Sequence, residues 1–65
     1  MDAVELDRNI YRALNLMPEQ RRRVFVLSRY RNMSNEEIAA LLKLSKRTVE
    51  GHISEALKDL RKSVN

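Results

Sequence analysis

The sequence predicts an all-α fold, a small four-helix bundle, and three observations point to it. The 65 residues include one proline and one glycine, so little interrupts regular structure. Apolar residues recur every three to four positions, and no stretch alternates as a half-buried strand would. Two serines, Ser34 and Ser45, stand just ahead of such runs, where helix caps belong. The length allows one domain at most, covering residues 1–65.

The first helix is expected from about Val4 to Leu14, with Leu6, Ile10, Ala13 and Leu14 on one stripe. Asn15, Leu16 and Met17 then form a connection. Pro18 suits the first turn of the second helix, where its missing N–H costs nothing, and Glu19 suits the positive helix end. That helix carries Val24, Phe25, Val26, Leu27 and Tyr30. These positions wrap most of the way round, which predicts the central element of the bundle. The third helix opens on "SNEE", in which Ser34 and Glu37 have the spacing of a capping box. Ile38, Ala39, Leu41 and Leu42 follow, and the helix ends near Leu42. Lys43 and Leu44 make a tight turn, and Ser45 caps a fourth helix from Lys46 to about Lys62.

Composition removes several functions. No cysteine is present, so disulfides and thiolate metal sites are excluded. No apolar run reaches the length of a membrane span, and the first residues form no signal-peptide core, so a cytoplasmic protein is expected. His52 is the only histidine, and its sequence neighbours Glu50 and Glu55 point away from it on a helix. No nucleophile–base pair or metal-ligand set emerges, so neither an enzyme nor a cofactor is expected. Thirteen basic side chains against nine acidic give a net charge of +4, which favours a polyanionic partner.

The third and fourth helices, joined by about three residues, have the layout of a helix-turn-helix. Ala39 is small where the two must approach, and Ile38, Leu42, Leu44, Val49 and Ile53 supply apolar contacts across the crossing. Lys46 and Arg47 open the second helix of the pair, where this motif contacts bases. An ordinary helical hairpin has the same spacing. The only glycine, Gly51, bears on the choice. If Val49, Ile53, Ala56 and Leu60 face the core, then Arg47, Gly51, Ser54 and Lys58 face away. Core packing does not explain a glycine there, whereas close approach of the helix to a groove wall or base edges does. A tolerated surface glycine is the plainer alternative.

Taken together, "MPEQRRRVF", "LSRY", "MSNEEIA" and "LSKRTVEGHISEALKDLRK" resemble region four of bacterial sigma factors of the extracytoplasmic-function type, over residues 14 to 64. The fold implied is a helix-turn-helix of the winged-helix-like superfamily without a wing. The resemblance implies an excised C-terminal domain of a longer sigma factor, because no promoter-melting region two is present. It also implies docking on the flap of the polymerase β subunit, binding to the minus-thirty-five promoter element, and capture by an anti-sigma factor. By position, Lys46, Arg47, Glu50, Gly51 and Ser54 would meet base edges, with Arg and Lys donating to guanine and Glu50 accepting from cytosine. Thr48 and His52 lie at the edge of that face and would touch phosphate. So would Arg21, Arg22 and Arg23, on the helix that crosses the backbone, and the helix N-termini at Ser34 and Ser45. For the arginine run, a solvated helix face is the alternative. One departure is Lys43, at a turn position often held by glycine. A response-regulator output domain of the LuxR type shares similar stretches. It requires a further helix after the recognition helix, and the chain ends at Asn65. A helical protein-interaction module is the remaining alternative.

Overall fold

Side chains near each boundary decide where the helices start and stop. The computed structural model describes residues 8–64. They form α1 (Arg8–Leu16), α2 (Glu19–Tyr30), α3 (Asn35–Leu42) and α4 (Lys46–Val64), with no strand among the described residues. The expected start of the first helix at Val4, and Leu6 on its stripe, lie outside the described residues.

The first helix runs two residues past the expected end. Asn15 and Leu16 remain helical, and the Met17 amide donates to the Leu14 carbonyl at 3.2 Å. Met17 is buried with Leu14, Phe25 and Ala56, so the chain turns only once this side chain has reached the core. Pro18 also differs from expectation. It sits at the N-cap of α2 rather than inside the first turn, in an extended conformation with ψ 146°. Its carbonyl still accepts the first helical bond, from the Arg22 amide at 3.0 Å. Proline has no side-chain acceptor, so Glu19 alone complements this helix end. At the other end of α2, Asn32 adopts a left-handed conformation, and the Met33 amide donates to the Leu27 carbonyl at 3.1 Å.

Both expected serine caps form. The Glu37 amide donates to Ser34 Oγ at 3.1 Å, and the Ser34 amide donates to Glu37 Oε1 at 2.8 Å, completing the capping box of α3. The Thr48 amide donates to Ser45 Oγ at 3.0 Å, which caps α4. Between them Lys43 is left-handed, with φ 57° and ψ 46°, and the Leu44 amide donates back to the Ala39 carbonyl at 2.9 Å. This six-to-one bond closes α3 in the Schellman manner, and both Ala39 and Leu44 pack on the core beneath it.

The apolar interior has two parts. Val24, Ile38 and Val49 are fully buried and gather Leu27, Met33, Ala39, Leu42, Leu44 and Ile53 around them. Leu14, Met17, Phe25 and Ala56 form the other part, flanked by Ile10 and Leu60. α4 contributes to both, through Val49 and Ile53 at one end and Ala56 and Leu60 at the other, and it packs against each of the other helices. The central element is therefore α4, not α2 as its wrapped apolar pattern suggested. α2 buries Val24 and Phe25 but leaves Tyr30 exposed. A pair between Arg21 Nη1 and Asp59 Oδ2, at 2.7 Å, ties α2 to α4.

Candidate nucleic-acid interface

The α3–turn–α4 unit is held from below by Ile38 and Val49, both fully buried. This fixes which side of α4 faces outward. Arg47, Gly51, Ser54 and Lys58 are all exposed, and so is Glu50. A Cβ added at Gly51 would meet nothing within 4 Å, so no neighbour inside the molecule requires a glycine there.

The N-terminal end of this face is electropositive. The first turn of α4 contains no acidic residue. Lys46 Nζ lies 3.6 Å from Glu36 Oε2, both side chains being well exposed. Among the described residues no carboxylate pairs with Arg47. Its guanidinium is free to present donors outward, as is the Glu50 carboxylate to accept. Thr48 is exposed, but its hydroxyl accepts a bond from Ser45 Oγ at 2.8 Å, so both groups already organise the first turn. His52 is half-buried at the edge of the face.

The three arginines of α2 do not form one patch, because successive helix positions point about 100° apart. Arg21 is turned inward and paired with Asp59. Arg23 Nη2 donates to Glu19 Oε2 at 2.8 Å on an exposed face. Arg22 is half-buried, and no carboxylate among the described residues pairs with it. The two helix N-termini differ as well. The first turn of α3 carries Glu36 and Glu37, which repel an anion, whereas that of α4 carries Lys46 and Arg47 and no acid. This contrast was readable in "SNEE". The Arg21–Asp59 pair spans 38 residues, and no local spacing announces it. No group of His, Asp and Glu among the described residues could hold a metal ion, and no helix is long and apolar enough to cross a membrane.

Compared with known protein families, residues 7–60 match Sigma-70, region 4. The chain belongs to this family. No characterised protein and no solved structure matches it beyond that. As a sigma region-four domain it is a DNA-binding module of a factor that works with RNA polymerase. The α3–α4 pair is its helix-turn-helix, in which α4 is the second helix and has an open outer face. The match is to sigma factors, so it does not favour the response-regulator alternative.

Proposed function

We propose that this sigma region-four domain reads the minus-thirty-five promoter element by laying the outer face of α4 in the major groove, within a factor of the extracytoplasmic-function type. The observation that carries the reading is the open, uncrowded face at Gly51, one turn beyond Arg47, with which no carboxylate among the described residues pairs. In this arrangement Lys46, Arg47, Glu50 and Ser54 address base edges, and Gly51 lets the helix backbone come close. Arg22, Arg23 and His52 hold phosphate, and the N-terminus capped by Ser45 and Thr48 presents the backbone N–H groups of Lys46 and Arg47 to it. Arg21 and Ser34 are the weakest of the phosphate candidates, the first because Asp59 engages it and the second because Glu36 and Glu37 surround it.

The polymerase contact is proposed for the flap of the β subunit. An open pocket of about 280 Å³ offers a mixed surface for it, apolar at Ala13, Leu16 and Met17 and charged at Arg21, Asp59 and Lys62, with Leu16 80% exposed at its edge. An anti-sigma protein would cover the same kinds of surface. The domain is proposed to act as one half of a bipartite reader, with promoter melting done by a separate region of the same factor.

Selection from a random duplex pool tests the DNA reading. The domain should enrich one short motif, and polymerase carrying the whole factor should protect that motif about three helical turns upstream of the transcription start. Enrichment of no motif would remove the sequence-reading role.

A further inference from the structure

Lys43, in the turn between α3 and α4, has a left-handed backbone at φ 57°. A Cβ is disfavoured there, and glycine, or else asparagine, is the usual occupant. Among the described residues the other left-handed non-glycine position, at φ 54°, is an asparagine, Asn32. Its one glycine stands instead at position 51, in regular helix with open space around it. Lysine thus occupies a position whose backbone suits another residue, and such an outlier beside a functional element points to a task for the side chain.

The Lys43 side chain is exposed, and no carboxylate among the described residues pairs with it. Two uses are open to its charge. One is internal. α3 has no basic residue in its last turn, so an ammonium beside its final carbonyls is favourable. The other lies outside the molecule. Lys43 is two residues from the cap Ser45, about 7 Å of chain. The major groove is about 12 Å wide. A helix entering the groove by its N-terminus therefore holds Lys43 at the groove's lip, where the phosphates run. Lys46 and Arg47 follow within one turn, and no acid in the first turn of α4 opposes them. A compact ammonium on a flexible stem suits a phosphate.

Resting on the reading of α4 as the recognition helix, we propose that Lys43 is a DNA-phosphate contact, retained in an unfavourable backbone conformation because its ammonium holds the strand at the lip of the groove that α4 enters.

Two substitutions separate the two uses. K43G removes both the charge and the Cβ; K43Q removes the charge alone. Each is titrated against promoter and scrambled duplexes over a salt series and melted thermally, with R47A alongside. Both Lys43 variants should flatten the slope of log K against log salt by about 0.9, which is roughly a fivefold loss of affinity at 0.15 M salt. The loss should be equal on both duplexes. K43G should melt above the K43Q variant despite binding no better. Unchanged slopes, with a lowered melting temperature in K43Q, would assign the lysine to the α3 dipole and overturn the proposal. If R47A loses sequence preference while the Lys43 slopes stay put, the Lys43 inference falls alone. If R47A also binds like the parent, the recognition-helix reading falls with it.

Discussion

Gly51 and Arg47 are one turn apart on the same exposed face of α4, and substitutions at both are expected to weaken binding without lowering stability. A Cβ at position 51 has open space, so Gly51→Ala should stabilise the helix by about 1 kcal/mol. Gly51→Leu should also melt no lower than the parent, but its bulk should hold the backbone off the groove and weaken duplex binding. Thermal melts and titrations of the same sample check this; a destabilised fold with unchanged affinity would mean the glycine serves packing. Arg47→Ala should leave stability unchanged, cost on the order of 1–3 kcal/mol in binding, and relax preference at one base pair. The α2 arginines divide between stability and binding. Arg21→Ala breaks a pair whose side chains are 25% and 31% exposed, so it should cost about 1 kcal/mol of stability and leave the salt slope unchanged. Arg22→Ala should leave the melt unchanged and lower the salt slope by about one unit. A run of three arginines did not reveal this division, because which one turns inward depends on where α4 packs.

At the scale of the elements, most boundaries were legible because local chemistry sets them. Ser34 with Glu37 and Ser45 with Thr48 act within four residues, so "SNEE" and "LSKRT" carry their own start signals. Removing either cap serine to alanine should cost about 1 kcal/mol. Ser45→Ala should also raise hydrogen exchange at the Thr48 amide, which donates to that hydroxyl, while the Glu37 amide stays protected. Equal exchange at both amides would show that the α4 cap does not order its first turn. Where the sequence misled, tertiary packing decided. α1 runs on to Leu16 because Met17 must reach Phe25 and Ala56. α4 rather than α2 is central because its apolar stripe is shared between two clusters some turns apart, a division that periodicity alone does not show.

For the molecule as a whole, the small interior sets the margin. A chain of this length is expected to hold about 3–10 kcal/mol of stability. Ile38 is fully buried between α2, α3 and α4, and Ile38→Ala should cost about 2–5 kcal/mol, enough to populate the unfolded state under mild denaturant. The same smallness limits binding. On the proposed reading, a basic face with four to six phosphate contacts would give a salt slope of roughly −4 to −5, and a module apart from a tethered partner would lose the gain of effective concentration. The helix-turn-helix and its outward face could be read from spacing, caps and one misplaced glycine. The pairing of Arg21 with Asp59 could not, since it depends on how α2 and α4 meet, whereas the left-handed Lys43 is a local helix end at a turn position often held by glycine. The central claim is that the outer face of α4 reads DNA sequence as part of a larger promoter reader. The most direct test is an anisotropy titration of the isolated domain and Arg47→Ala on promoter and scrambled duplexes over a salt series. Micromolar binding by the parent, steeply salt-dependent and preferring the promoter, with that preference lost in Arg47→Ala, is the predicted result. Salt-insensitive binding, equal affinity of the parent for both duplexes, or nanomolar specific binding by the domain alone would contradict it.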